Sequence, residues 1–367
     1  MKTSIPNKIA LVLGGGGLKG FAHVGVLRAL EERGIRPAVI AGTSIGALVA
    51  AAHAGGMSTR EMAERASSLR RRDLFRINHL GMLLEQTRSP SFYLAEPLRE
   101  MCGDVVPPGT FADLKGTLLV NTVDIERGTQ LVWGLPGLRD VPVADAVYAS
   151  CALPGAFPPG SVGGRSCVDG GTIENLPIAI AALGMKAVIA VDVGSSDMTH
   201  ASDVSSRGFA RIYLRAATLM MHTLQQRPLA DWRGPPTLLI RPRVGHHGWF
   251  GFGHADEVIE TGYKAACHAL DQIGGALAGR GGVFPRRLVD IEVDVKKCIG
   301  CRTCVALAPT LMRMDAENKA YAVNSPVQWS PAEGDFVHHC PTAAITARML
   351  DGSGVITTVP DMEPTSD

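Results

Sequence analysis

The stretch Gly42-Thr43-Ser44-Ile45-Gly46 decides how this chain is interpreted. It follows a short apolar run at residues 37–41 and opens a segment of small residues at 47–52. This order of residue types predicts a buried strand, a sharp glycine-flanked turn and a buried helix. In such a turn the hydroxyl of Ser44 would be held at a sheet edge as a nucleophile. The alternative is a serine in an ordinary β-to-α turn or helix cap, which is common.

The composition is that of a globular chain. It has 367 residues, of which 46% are apolar and 19% are charged, and its net charge is +1. This length allows two or more domains with a sizeable core. The near-zero charge gives no bulk reason to expect a nucleic acid as partner, and we predict none.

No segment predicts secretion or a membrane span. The apolar run at residues 9–13 is too short for the hydrophobic region of a signal peptide. Residues 37–57 carry no Asp, Glu, Lys or Arg and are long enough to span a bilayer. They contain the Gly42–Gly46 turn, however, so a buried strand followed by a buried helix explains them better. We therefore expect a soluble protein.

The eight cysteines do not form the framework of a secreted disulfide-rich protein. Four lie near the C-terminus with metal-like spacing, and the other four are scattered among apolar residues, where we expect them to be buried: Cys102, Cys151, Cys167 and Cys267. This usage favours the cytoplasm.

A second glycine-rich turn precedes the first. Residues 8–13 predict a buried parallel strand, and residues 21–33 predict an amphipathic helix closed by Gly34. Between them lies Gly14-Gly15-Gly16-Gly17-Leu18-Lys19-Gly20. The N–H groups of such a loop, with a helix N-terminus behind them, form an anion site.

Two functions compete for this loop. Gly15, Gly17 and Gly20 fit the dinucleotide-binding fingerprint, which also needs an acidic residue at the end of the next strand. That strand ends in residues 41–44, which hold no carboxylate. The other function is an oxyanion hole for an acyl group attacked by Ser44, and we favour it because two neighbouring strands would bring both turns to one sheet edge.

A carboxylate follows a short apolar strand in Ser166-Cys167-Val168-Asp169-Gly170-Gly171. Asp-Gly is also a common turn dipeptide, so Asp169 alone is a weak signal. Asp192 likewise ends a predicted strand, but it lacks the two glycines and ranks lower. Together, Ser44, the glycine loop and Asp169 supply the nucleophile, oxyanion stabiliser and base of acyl transfer.

The remaining predicted elements are mixed α and β. Predicted strands cover residues 118–123, 129–133, 186–192 and 237–243, and predicted helices cover residues 58–76, 89–101, 143–151 and 254–273. The helix predicted at 58–76 contains a basic run, Arg70-Arg71-Arg72. We favour a solvated helix face for this run over a patch that binds lipid headgroups.

These motifs resemble those of the patatin-like phospholipases over about residues 8–275. The family pattern is a glycine loop with a basic residue, a Gly-x-Ser-x-Gly turn and an Asp-Gly-Gly/Ala turn, in this order. The resemblance implies an α/β fold, a three-layer sandwich with a mostly parallel central sheet. It also implies a catalytic dyad of Ser44 and Asp169, with an oxyanion hole from Gly15, Gly16 and Gly17. Supporting motif positions are Lys19, Gly20, Gly42, Gly46, Gly170 and Gly171.

Two points stay open beside this resemblance. Lys19 would organise the glycine loop, meet an acidic headgroup, or simply be solvated. A Ser-His-Asp triad would need a histidine late in the chain, and five are present: His222, His246, His247, His254 and His268. None lies in a segment that we can match to a catalytic histidine, so we favour the dyad.

The C-terminal part changes in character after a glycine-rich linker at residues 276–287. Cys298, Cys301 and Cys304 are separated by two residues each, and Cys340 is followed by proline. This spacing is typical of iron–sulfur ligation, whereas zinc modules usually pair two Cys-x-x-Cys units. Residues 288–350 resemble a single-cluster bacterial ferredoxin with one [4Fe-4S] cluster and a small α+β fold, and Ala308 stands where a second cluster would need a cysteine. Residues 351–367 are predicted to be a flexible tail.

The expected function is therefore that of a lipid acyl hydrolase, of phospholipase A or esterase type, regulated by or coupled to the cluster. A lipid or other ester is the expected substrate, although headgroup and chain length are not specified. Peripheral contact with a membrane and a redox partner protein are left open. The alternative is an electron-transfer iron–sulfur protein whose N-terminal part serves as a docking or membrane-binding module.

Overall fold

The structure is a computed structural model. It describes residues 7–78, 91–194, 208–230, 232, 234–271, 273, 287–329, 336–337, 339–350 and 355–357. Of the predicted linker at 276–287, only residue 287 is described. Of the predicted tail at 351–367, only residues 355–357 are described. The first two residues of the predicted helix at 89–101 also lie outside them.

The N-terminal part contains an eight-stranded sheet in the order β5-β6-β3-β2-β1-β7-β8, with β4 paired to β3. Five strands run parallel to one another, in the order β3, β2, β1, β7 and β8. The other three strands join the sheet through antiparallel pairs: β4 and β6 both pair with β3, and β5 pairs with β6. The strands are β1 Ile9–Leu13, β2 Val39–Thr43, β3 Thr117–Asp124, β4 Thr129–Trp133, β5 Gly160–Val162, β6 Arg165–Asp169, β7 Ala187–Val191 and β8 Thr237–Ile240.

Nine α-helices accompany this sheet in the described residues. They are α1 Ala22–Glu32, α2 Ile45–Ala54, α3 Thr59–Ser68, α4 Arg71–Leu74, α5 Glu96–Val105, α6 Val143–Cys151, α7 Ile178–Ala181, α8 Phe209–Ala230 and α9 Ala255–Asp271. Short 3-10 helices precede α1 at Gly17–Phe21 and follow β6 at Gly170–Thr172.

Strand β1 shows why the sheet is covered on both faces. All its residues are buried, and successive residues belong to two different hydrophobic cores. Leu11 lies in the core shared with α1, α2, α6 and α9. Ala10 lies in the core on the opposite face, shared with α7 and the end of α8. Alternating side chains point to opposite faces of a strand, so a strand buried on both faces is apolar throughout. The predicted three-layer α/β fold with a mostly parallel sheet is confirmed.

Two helix predictions were wrong in their bounds. The helix predicted at 58–76 is interrupted, because Leu69 and Arg70 are extended and the Asp73 carboxylate accepts the Arg70 N–H, which starts a new helix. The helix predicted at 89–101 begins only at Glu96, with Pro97 in its first turn, where a missing N–H has no cost.

The C-terminal part forms a second, small core. Its four-stranded antiparallel sheet has the order β12-β9-β13-β14, and β10 pairs with β11. The elements are β9 Arg287–Val293, α10 Thr303–Leu307, β10 Met312–Met314, β11 Ala320–Ala322, β12 Val327–Trp329, β13 Ile345–Met349 and β14 Val355–Thr357. This α+β unit therefore extends beyond the predicted bounds of 288–350, and three residues of the predicted tail form a strand.

Candidate active site

Ser44 lies in the turn between β2 and α2 in a backbone conformation that side chains rarely adopt, with φ 56° and ψ −129°. The glycines on either side are required by space. A Cβ atom on Gly46 would lie 2.1 Å from the Leu13 carbonyl oxygen, and one on Gly42 would lie 2.5 Å from the Ala47 backbone. The helix can therefore begin directly against the ends of β1 and β2, and the strained turn exposes the half-buried Ser44 at the sheet edge.

Asp169 is the last residue of β6 and is only 3% exposed. Its own N–H donates to the Ala152 carbonyl at 3.0 Å, which fixes the backbone. Its carboxylate accepts the Gly171 N–H at 2.8 Å, and the nearby hydroxyl of Ser44 lowers its pKa. Burial raises the pKa of Asp169 from 3.8 to about 6, although the Gly171 N–H and the Ser44 hydroxyl oppose this rise. The structure thus brings the two predicted dyad residues together, with a carboxylate poised to take a proton near neutral pH.

Ser150, near the end of α6, supports the Ser44 turn through a hydrogen bond. The Ser44 N–H donates to Ser150 Oγ at 2.8 Å, and Ser150 Oγ donates to the Asn121 carbonyl at 2.7 Å. Ser150 is fully buried. Its only signal in the sequence is a hydroxyl inside an otherwise apolar helix end, and sequence reasoning missed it.

Asn121, on β3, joins three segments behind the site. Its side-chain amide donates to the Glu174 carbonyl at 2.6 Å and to Thr43 Oγ1 at 3.3 Å. Its side-chain oxygen accepts from Gln130 at 2.9 Å. The residue before Ser44 and the loop after Asp169 are therefore tied to the same side chain, which sequence reasoning also missed.

The glycine loop lies directly against Ser44. A Cβ atom on Gly15 would be 3.1 Å from Ser44 Cβ. Asn175 holds this point of the loop with a pair of hydrogen bonds, since its Oδ1 accepts the Gly15 N–H and its Nδ2 donates to the Gly15 carbonyl, each at 3.1 Å. The Gly15 N–H is therefore already engaged, whereas those of Gly16 and Gly17 have no acceptor among the described residues and remain for the predicted oxyanion hole.

The next part of the loop packs against Trp249. The Leu18 N–H donates to the Trp249 carbonyl at 2.9 Å, and Gly17, with φ 60°, leaves no room for a Cβ atom beside that carbonyl. Lys19 is fully buried, with its ammonium 5.9 Å from the centre of the Trp249 ring. A solvated Lys19 was one of the open alternatives, and this burial contradicts it; Lys19 instead belongs to the interior of the loop.

His23 supports the loop from α1. Its Nε2 lies 2.7 Å from the Gly14 carbonyl, and burial lowers its pKa to about 4. The imidazole is therefore neutral at physiological pH and donates to the loop backbone. No sequence signal distinguished it from an ordinary core histidine.

The other titratable candidates lie in different environments. Asp192 pairs with Arg241 at 3.4 Å, and its Oδ1 accepts the Gly194 N–H, whereas Asp169 has no such cationic partner within the part of the chain that the structure describes. Among the described residues, the hydrogen bonds of Ser44 and Asp169 involve no histidine. His246, His247 and His254 face Glu257 instead, His268 is exposed on α9, and the side chain of His222 is not described.

Helix α8 passes over the Asp169 turn and carries exposed apolar residues. A Cβ atom on Gly171 would be 2.7 Å from Met221 Cε, so the helix contacts the turn that holds the carboxylate. Several apolar side chains of α8 at helical spacing face solvent, namely Ile212, Tyr213, Leu219, Met220 and Leu224. No helix in the described part of the chain is long and apolar enough to cross a membrane.

The four C-terminal cysteines converge on one cavity, lined by Cys298, Cys301, Cys304 and Cys340. All four are free thiols. Gly300 (φ 71°) and Arg302 (φ 63°) adopt left-handed conformations, which wrap the loop around the cavity. Burial, and then the neighbouring Cys301, raises the pKa of Cys304 to about 11.

Backbone amides in the same cavity donate to the sulfur atoms. The Ala320 N–H lies 3.4 Å from Cys298 Sγ, and the Ala344 N–H lies 3.2 Å from Cys340 Sγ. N–H groups directed at thiolate sulfur stabilise its negative charge and tune iron–sulfur centres. The donor set and its surroundings therefore fit an iron–sulfur cluster.

Comparison with known families agrees with both parts. The model of the patatin-like phospholipase family matches residues 11–182. The model of the 4Fe-4S single cluster domain of ferredoxin I matches residues 293–347.

Individual relatives are similar to between 53% and 77% of this chain. An uncharacterized NTE family protein of Mycobacterium tuberculosis is 37% identical, over 53% of this chain and 52% of that protein. Lysophospholipase NTE1 of Mycosarcoma maydis is 31% identical, over 72% of this chain and 15% of that protein. Patatin-like phospholipase domain-containing protein 6 of Homo sapiens is 36% identical, over 77% and 21% respectively. The chain thus matches about half or less of the length of these relatives.

Among solved structures, VipD from Legionella pneumophila aligns with a TM-score of 0.47 and 16% identity, covering 74% of this chain and 68% of that chain. Residues 11–182 of this chain thus match the patatin-like phospholipase family, and residues 293–347 match the single-cluster 4Fe-4S ferredoxin domains.

Proposed function

We propose that the protein is a serine acyl hydrolase of lipids, of phospholipase A or esterase type, with Ser44 as nucleophile and Asp169 as base. The observation that carries this proposal is the position of the Ser44 hydroxyl beside the buried carboxylate of Asp169, whose pKa is about 6. Such a carboxylate is ionised at neutral pH and basic enough to accept a proton.

The reaction follows from this contact. Asp169 takes the Ser44 proton as Ser44 Oγ bonds to the acyl carbon, and the proton then passes to the alcohol oxygen as the ester bond breaks. Asp169 next takes a proton from water, whose oxygen attacks the acyl group on Ser44. Release of the fatty acid and return of the proton to Ser44 restore the site.

The oxyanion of each tetrahedral intermediate is assigned to the N–H groups of Gly16 and Gly17. The Gly15 N–H serves a different purpose in this proposal, because its hydrogen bond to Asn175 fixes the loop. A loop held in this way by Asn175 and His23 presents its donors without reorganisation during the reaction.

The dyad is tested with purified Ser44→Ala and Asp169→Asn variants. Each is expected to lose ester hydrolysis while keeping the circular dichroism spectrum of the wild type. Ser161→Ala removes a hydroxyl from an exposed strand position and serves as the matched control with unchanged rate. Wild-type turnover in either of the first two variants would remove the proposal.

A lipid surface is the proposed setting of the substrate. The exposed apolar residues of α8 lie on the helix that contacts the Asp169 turn, where they could meet a lipid surface. Met220→Glu and Leu224→Glu should lower the rate of hydrolysis of phospholipid vesicles but not that of a soluble p-nitrophenyl ester. Leu183 is also highly exposed, and Leu183→Glu should leave both rates unchanged. Equal loss on both substrates would contradict this setting. Screening p-nitrophenyl esters beside phospholipid vesicles would also define chain length and headgroup.

We further propose that Cys298, Cys301, Cys304 and Cys340 hold one [4Fe-4S] cluster, in a domain at about residues 288–350 joined through the 276–287 linker to a hydrolase domain at 1–275. Such a cluster supplies one-electron redox chemistry. The expected preparation is brown, with about four irons per chain, whereas a colourless anaerobic preparation with one zinc on sulfur would refute it. The proposed location is the cytoplasm, with or without peripheral attachment to a membrane.

The cluster is proposed to gate the hydrolase. The alternative, an electron-transfer protein with a redox partner and an inactive N-terminal part, is disfavoured by the intact contact between Ser44 and Asp169. Esterase turnover measured with the cluster oxidised, reduced and removed separates the two ideas. Equal rates in all three states would contradict gating, and no turnover in any state would favour the electron-transfer alternative.

A further inference from the structure

Three histidines surround one carboxylate where the loop after β8 meets α9. His246 Nε2 and His247 Nε2 lie 3.4 Å and 3.5 Å from Glu257 Oε1. His254 Nδ1 lies 3.6 Å from the other oxygen, Glu257 Oε2. This cluster belongs to neither the dyad nor the cysteine cavity.

Two of the separations among these atoms are those of ligands around a small metal ion. The donor atoms of His246, His247 and Glu257 all lie within 4.8 Å of one another. In a tetrahedral site with bonds of about 2.0–2.1 Å, neighbouring ligand atoms are about 3.3–3.4 Å apart. The measured separations of 3.4 Å and 3.5 Å to Glu257 are close to that value.

His247 gives an independent indication. It is only 8% exposed, yet its buried Nε2 has no hydrogen-bond partner among the described residues, although Glu257 Oε1 lies 3.5 Å away. The ring is held between those of His246 and His254, with centroids at 3.9 Å and 5.0 Å. A buried ring nitrogen without a partner is costly, and a metal bond would satisfy it.

We propose that His246, His247 and Glu257 bind a divalent transition-metal ion, with zinc as the best match to two imidazoles and a carboxylate and with water in the fourth position. His254 holds the second oxygen of Glu257 and so orients the carboxylate toward the ion. The ligands come from the loop and from the first turn of α9, so the ion fastens the loop to the helix.

The loop that the ion would hold also contacts the proposed active site. The same loop carries Trp249, whose carbonyl accepts the Leu18 N–H and abuts Gly17 in the glycine loop. An ion at the histidine cluster therefore fixes the segment that supports this loop. Its binding is independent of whether Ser44 acts as a nucleophile.

The test uses the full chain with its cysteine site loaded with iron. Zinc is titrated anaerobically, zinc and iron are counted by mass spectrometry, and the zinc environment is read by X-ray absorption. We expect one added zinc per chain, unchanged iron, and nitrogen or oxygen ligands at about 2.0–2.1 Å. Zinc bound to sulfur at about 2.3 Å, or no zinc bound at all, would overturn the proposal.

Variants identify the ligands. His247→Gln and Glu257→Gln should bind zinc at least about tenfold more weakly, and His254→Gln about tenfold more weakly through loss of orientation. His268→Gln alters an exposed histidine of the same helix and should bind as the wild type does. Glu257 is exposed, so its variant should fold even if that of His247 does not. Wild-type affinity in Glu257→Gln would overturn the site.

Discussion

Asp169→Asn should make the protein more stable while it abolishes activity. Burial raises the pKa of Asp169 from 3.8 to about 6, which means that folding disfavours its ionised form. This rise corresponds to about 3 kcal/mol of lost stability above pH 6. Asparagine has nearly the same shape, can still accept the Gly171 N–H, and carries no charge to desolvate.

The effect has a defined dependence on pH. For an acid whose pKa is raised by folding, stability is fully present below 3.8 and is lost as the pH rises toward 6. The advantage of Asp169→Asn should therefore grow by about 1.4 kcal/mol between pH 5 and pH 8. Over the same range the wild-type kcat/KM should rise about tenfold to a plateau, because the base must be ionised.

Urea unfolding followed by circular dichroism at both pH values measures the free energies of unfolding. Asp192→Asn is the matched control, since Asp192 is also a buried aspartate near a strand end that accepts an N–H two residues later. Asp192 has an ionic partner in Arg241, so its variant should instead lose about 3 kcal/mol or more. If Asp169→Asn were destabilised equally at both pH values, the explanation by desolvation would be refuted.

Three further outcomes are expected. Asn175→Ala removes both hydrogen bonds between Asn175 and Gly15 in the glycine loop. We expect kcat to fall about 100-fold with little change in KM. An unchanged kcat would contradict a positioning role for Asn175. Gly46→Ala places a methyl group against the Leu13 carbonyl and should lower the free energy of unfolding in urea by about 3 kcal/mol. Gly116 lies in open space, so Gly116→Ala should lower it by less than about 0.5 kcal/mol. Equal losses in the two variants would contradict the packing argument. Cys301→Ser should lower iron content and visible absorption, and full iron retention would exclude Cys301 as a ligand.

The parts of the site that were predictable are those whose chemistry is local. Glycines on both sides of Ser44 and after Asp169 mark turns in which backbone geometry itself requires those residues. The cysteine spacing is similarly local for three of the four thiols. Periodic apolar runs predicted most strands, because strands buried on both faces are apolar throughout.

The supporting residues were not predictable, because single polar side chains acquire their roles through distant contacts. Ser150 lies 106 positions from Ser44, and Asn175 lies 160 positions from Gly15. Neither has a pattern that distinguishes it from an ordinary buried serine or asparagine. The break in the helix at Leu69 was missed for a related reason, since the side chain of Asp73 competes for a backbone N–H.

The most direct test of the account is the reaction of the protein with a fluorophosphonate, which phosphonylates activated serines with loss of fluoride. Intact mass and peptide mapping should show one label per chain on Ser44, none on Ser44→Ala, and much slower labelling of Asp169→Asn in a folded protein. A label on another residue, or equal labelling of Ser44→Ala, would contradict the assignment of Ser44 as the nucleophile.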